Sequence, residues 1–107
     1  MVSIIMQRNS IMGKRVFSDE RINEILGSLN WNRLLRNVYD YAYSERIEED
    51  YSLEFFMYDR HLTIELWVWD YDNLEWRVVG NSYITTIDNL SYKLEKGIRI
   101  CLELATT

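Results

Sequence analysis

Proline is absent from the 107 residues, and only one cysteine, one histidine and four glycines occur. A single cysteine, Cys101, excludes an internal disulfide, and with no recognisable export signal it places the expected home of the chain in a reducing cytoplasm. The lone histidine, His61, leaves no partner for a Ser-His-Asp or Cys-His nucleophilic site. One His and one Cys also serve zinc poorly. Neither GxxxxGK[ST] nor GxGxxG is present, so a glycine-rich phosphate cradle has no support. The longest apolar runs are a few residues, far short of the roughly 20 that span a bilayer. The opening stretch, Met1 to Gly13, has an apolar patch (Val2, Ile4, Ile5, Met6) broken by Gln7 and Arg8, and does not read as a signal peptide. No catalytic residue, cofactor or metal is assigned, and a non-enzyme is expected.

What is present is globular in composition, with 48% apolar and 27% charged residues. The length suits one domain, 1–107, with one core. Scarce alanine alongside abundant Ile, Tyr and Asn is a bias found in AT-rich genomes, including many phages. Net charge is −5, split as +2 over residues 1–46 and −7 over residues 47–107. The acidic half disfavours nucleic acid and anionic membranes and favours basic partners.

Composition changes once, near Glu48-Glu49-Asp50. Before it, the spacing of Ile22, Ile25, Leu26 and Leu29 predicts a helix opened by Ser18-Asp19-Glu20. Gly27-Ser28 and Asn30 mark a break, and a second helix is predicted from Trp31 to about Arg46 with the stripe Trp31, Leu34, Leu35, Val38, Ala42. Arg and Tyr residues interleave along it (Arg33, Arg36, Tyr39, Tyr41, Tyr43, Arg46), a pattern compatible with single-stranded nucleic acid, but Asp40 and Glu45 sit among them. Tyrosines at i, i+2 and i+4 cannot share one helical face.

After the boundary the pattern is strand-like. Tyr51–Tyr58 alternates, Asp59-Arg60 is a tight connection, and His61–Asp70 sets Leu62, Ile64, Leu66 and Val68 against Thr63, Glu65, Trp67 and Trp69. A turn at Tyr71-Asp72-Asn73 leads to strand from Trp76, with a bulge or bend at Gly80-Asn81 and further strand over Ser82–Ile87. Asp88–Glu95 is predicted as a short helix or turn ended by Gly97, and Ile98–Ala105 as a last strand. The expected fold is α+β: two N-terminal helices packed on one face of a three- to five-stranded antiparallel sheet. The second face would hold Phe56, Tyr58, Trp67 and Trp69 together with Glu54, Glu65 and Glu103.

The segment WVWDYDNLEW followed by VVGNSYITTIDNL resembles the late strands of a C2 domain, through Trp69, Asp70, Asp72 and Gly80. That resemblance implies a calcium-dependent module in which the aspartates help hold the ion. The first half, read as helices, departs from a C2 sandwich, and Asp70, Asp72 and Glu75 alone supply too few oxygens for calcium. No family is claimed.

Residues 61–76, HLTIELWVWDYDNLEW, carry three of the four tryptophans among acidic residues. Indole and phenol rings supply interface anchors, and carboxylates steer basic partners. The partner-binding candidates are therefore Trp67, Trp69, Asp70, Tyr71, Asp72, Glu75 and Trp76, with Glu48, Glu49 and Asp50 adding to the field. The reading that follows is a small acidic binding protein that occludes a basic protein surface, as an immunity protein, an antitoxin or a phage anti-defence protein would. The alternatives are a structural or assembly subunit acting as a homodimer, and the calcium module.

Overall fold

A computed structural model of the chain describes residues 14–106. The reading of Met1 to Gly13 lies outside the described residues. Helix α1 spans Asp19–Ser28. Ser18, in extended conformation, caps it by accepting from the Arg21 amide at 3.1 Å, and Asp19 and Glu20 sit at the positive end of the helix dipole. Ile22, Ile25 and Leu26 form its buried stripe. The break falls where glycine, serine and asparagine predicted it: Leu29 is extended, and Asn30 caps helix α2, Trp31–Asn37, through the Arg33 amide.

Helix α2 stops well short of Arg46. Residues Ala42–Glu48 form strand β1, which corrects the long second helix. Period-two alternation wins there. Tyr43 and Ile47 turn toward the core, whereas Ala42, Ser44 and Arg46 are exposed. Of the three tyrosines only Tyr43 lies on this strand; Tyr39 and Tyr41 precede it and are exposed.

Strands β2 (Tyr51–Tyr58), β3 (His61–Asp70) and β4 (Glu75–Thr86) complete an antiparallel meander in the order β1-β2-β3-β4. Asp59 and Arg60, at φ 51° and 61°, form the two-residue loop of the β2–β3 hairpin, both in the left-handed region that such primed turns require. Leu74 closes the β3–β4 turn at φ 53°. Against β3, residues 80–82 bulge opposite Glu65, since Ile64 pairs with Tyr83 and Leu66 with Val79. Gly80 has φ 71°, and a Cβ there would stand 3.1 Å from the Leu104 carbonyl oxygen.

Helix α3, Leu90–Leu104, replaces both the short helix stopped at Gly97 and the predicted last strand. Leu90, Leu94, Ile98, Cys101 and Leu102 follow helical spacing and are all buried. The alternation Ile98, Ile100, Leu102, Leu104 is coincidental, because Leu104 is exposed. Gly97 does not end the helix. It lets α3 lie directly on Tyr83 and Ile64. Glu103 belongs to this helix and is exposed, so it does not share a sheet face with Glu54 and Glu65.

The helices pack on one sheet face. Leu53, Phe55, Leu62, Ile64 and Leu66 meet Ile22, Ile25, Leu34, Leu94 and Ile98 in a single core. Val68, at the far end of its stripe, is only half-buried. The class is α+β, with two N-terminal helices before a four-stranded antiparallel sheet and a third helix after it. No helix among the described residues is long and apolar enough to cross a membrane.

Candidate interaction face

Among the described residues, no helix packs on the other sheet face. Alternation brings Ser44 and Arg46 from β1, Ser52, Glu54 and Phe56 from β2, Glu65, Trp67 and Trp69 from β3, and Trp76, Val78, Ser82 and Ile84 from β4 onto it. A groove of about 610 Å³ crosses this face, lined by Ser44, Arg46, Ser52, Glu54, Phe56, Trp67 and Trp76. Exposed apolar side chains continue the surface, Tyr58 at 76% and Ile84 at 64% of full exposure.

Two glutamates stand opposite one another at the centre of the face, because Glu54 and Glu65 are direct cross-strand partners, Glu54 bonded toward β1 and Glu65 toward β4. Their oxygens are held by neutral donors alone. Ser44 Oγ donates to Glu54 Oε1 at 2.5 Å and Ser52 Oγ to Glu54 Oε2 at 2.6 Å. Trp67 Nε1 donates to Glu65 Oε1 at 3.1 Å and Ser82 Oγ to Glu65 Oε2 at 2.8 Å. Ser52 is only 5% exposed, so its hydroxyl is a fixed part of this framework. Among the described residues, the ion pairs are Arg15–Asp19, Arg21 with Glu24 and Glu48, Arg33–Glu45 and Arg77–Asp70; none reaches Glu54 or Glu65. Like charges directly opposite on a sheet are destabilising. The pair is thus hydrogen-bonded in place and, among the described residues, in no ion pair.

The indoles flank it. Trp69 meets Trp76 edge-on at 5.7 Å and Tyr71 at 6.4 Å. The Arg46 guanidinium lies 5.0 Å above the Trp76 ring and donates to the Glu49 carbonyl at 3.3 Å.

Of the sequence candidates, the structure brings Trp67, Trp69 and Trp76 together on the open face, all half-buried. Tyr71, Asp72 and Glu75 are exposed at the adjoining β3–β4 turn, beside Leu74, which is 72% exposed. Tyr71 Oη donates to Asp50 Oδ1, and this bond holds the phenol above its ordinary pKa. Asp70 shapes the turn. Its carboxylate accepts from the Asn73 side chain at 2.8 Å and from the amides of Asp72 and Asn73 at 2.9 and 3.2 Å, and Arg77 Nε lies 3.4 Å away. The bond from the Asn73 side chain, followed by the amides and Arg77, depresses its pKa.

Because the folded carboxyl titrates below the unfolded one, its contribution is complete above about pH 4 and is lost as pH falls through the folded value. We expect the stability difference between the parent and Asp70→Ala, measured by urea unfolding, to be clear at about pH 7 and to shrink as the pH is lowered below about 4. A pH-independent difference would refute the assignment.

The residues that sequence patterning left out of the site are Glu54 and Glu65, although both were placed on the second face, with Ser44, Ser52, Ser82, Phe56 and Arg46. The other chemistry-bearing groups lie apart. His61 is exposed and bonds the Asp59 carbonyl through Nδ1 at 2.8 Å. Cys101 is buried, donates to the Ile64 carbonyl, and is pushed up to about 11 by that burial. Among the described residues no group of three or more His, Cys, Asp or Glu side chains is placed to hold a metal ion. The described residues form one sheet and not the two of a C2 sandwich. Compared with known proteins, the chain matches no family model, no curated sequence and no solved structure.

Proposed function

We propose that this chain is a non-catalytic protein that binds a basic surface of another protein with its open sheet face and inhibits that protein by covering the surface. The observation that supports this most is the cross-strand pair of Glu54, which lines the aromatic groove, and Glu65, both held by neutral donors and in no ion pair among the described residues. A basic side chain entering the groove relieves the repulsion between the carboxylates and buries apolar area on Phe56, Trp67 and Trp76. Exposed acids at the neighbouring turn, Asp72 and Glu75, add long-range attraction and raise the association rate more than the lifetime.

Charge separates this reading from a homodimer formed through the same face. A two-fold interface would bring one acidic pair toward its own copy, with like charges facing one another.

The test compares the parent chain with the Glu54→Gln/Glu65→Gln double variant as immobilised baits for extracts of the native host. The parent is expected to retain a basic protein, with retention falling as salt rises. The double variant, with unchanged circular dichroism, is expected to lose it. Equal retention by both baits, or none by the parent, would refute the reading.

A further inference from the structure

We infer that the groove is a receptor for one arginine side chain, presented by the bound protein, whose guanidinium bridges Glu54 and Glu65. This rests on the binding reading above and names the chemical group that the face selects. Three observations point to arginine over lysine or a methylated lysine.

First, the acceptors are paired across two strands. Each carboxylate has spent part of its acceptor capacity on serine or indole donors, and the remaining lone pairs belong to two groups held on neighbouring strands. A planar fork with five donors can serve both at once, whereas an ammonium acts as a compact point charge and a quaternary ammonium has no donor.

Second, the walls are aromatic. Phe56 and Trp67 line the groove with Glu54, and a guanidinium, more weakly hydrated than an ammonium, loses less on entering such a place.

Third, the groove already accommodates this group. Arg46 lines it with its guanidinium 5.0 Å over Trp76, bonded to a backbone carbonyl and to neither glutamate. The chain's own arginine thus occupies the Trp76 ring face and forms no ion pair with either glutamate.

The test uses the full chain labelled with ¹⁵N on its tryptophans, titrated with three tripeptides: acetyl-Gly-Arg-Gly-amide, the lysine equivalent and the trimethyl-lysine equivalent. The Trp67 Nε1–H resonance reports directly, because that group donates to Glu65. The arginine peptide is expected to shift it saturably and to bind at least about fivefold more tightly than either lysine peptide. In Glu54→Gln/Glu65→Gln the saturable shift is expected to vanish. Equal or tighter binding of a lysine peptide, or no saturable shift with the arginine peptide, overturns the proposal. The comparison among peptides on the parent chain stands even if the double variant folds poorly.

The two readings fail separately. Host-protein capture that depends on the glutamates, combined with a lysine preference, removes the arginine assignment alone. Arginine selectivity without any captured protein removes the inhibitor reading alone.

Discussion

Glu65→Lys is expected to abolish partner capture while leaving the fold as stable as the parent or slightly more so. The substitution sets an ammonium directly across from Glu54, where a like-charge pair stood. An opposite-charge cross-strand pair is worth roughly 0.2–1 kcal/mol, and the bonds lost from Trp67 and Ser82 are at a half-open site where water can replace them. Glu54 then has a counter-ion directly across from it. Losing one member of a desolvated charge pair at an interface costs about 2–5 kcal/mol, a weakening of roughly 30-fold to several thousand-fold. Urea unfolding and capture measured on the same preparation should therefore move in opposite directions or not together. A glutamate that merely supported the sheet would lose both, and that parallel loss would overturn the assignment.

Gly97→Ala is expected to lower stability by about 1–2 kcal/mol, although helix propensity alone argues for a gain of about 1 kcal/mol at this position. Two effects compete. Alanine in the middle of α3 reduces the backbone entropy cost of forming the helix. Its Cβ, however, would stand 2.5 Å from Tyr83 Cδ2 and 2.8 Å from Ile64 Cδ1, inside the contact distance of both. Ile64 is fully buried and Tyr83 packs against the same core, so the strain passes into side chains with little room to yield. Overpacking of this kind costs typically 1–3 kcal/mol and outweighs the propensity term. For a domain of this length the expected loss lowers the melting temperature by about 4–8 °C per kcal/mol, readable by thermal denaturation. A higher melting temperature would show that α3 shifts freely on the sheet.

Much of the architecture is legible from local pattern. Alternation over Tyr51–Asp70 places the correct residues on the core, and Ser18 and Asn30 cap helices as their chemistry suggests. The failures share one cause, a short segment compatible with two periods. Ala42–Glu48 has a helical stripe only if Ala42 is counted with Val38, and β2 offers a paired edge that a helix would waste. Residues 98–105 alternate by accident, and only the packing of Cys101 and Leu102 on the sheet reveals the helix. Gly97 reads as a stop because a glycine used for close approach looks, in sequence, like one used for a left-handed turn.

The centre of the candidate face was within reach of simple counting. A two-residue loop at Asp59-Arg60 pairs Tyr58 with His61, and four steps back along each strand bring Glu54 opposite Glu65. The serine donors were out of reach. Ser44 requires β1, which the sequence disguises as helix, and Ser82 requires the bulge that lets β4 rejoin β3 after residues 80–82. Asp70, a partner-binding candidate from its place beside tryptophans, also organises a turn, which its sequence context alone does not reveal.

The meander has a consequence for biosynthesis. Each strand pairs with its neighbour in sequence, so the hairpins can form as the chain emerges. The hydrophobic side of that nascent sheet still waits for α3, which supplies Leu94, Ile98 and Leu102. Until this last helix leaves the ribosome only α1 and α2 are available to cover the hydrophobic side, and the interval before α3 docks is when the newborn chain is most prone to aggregate.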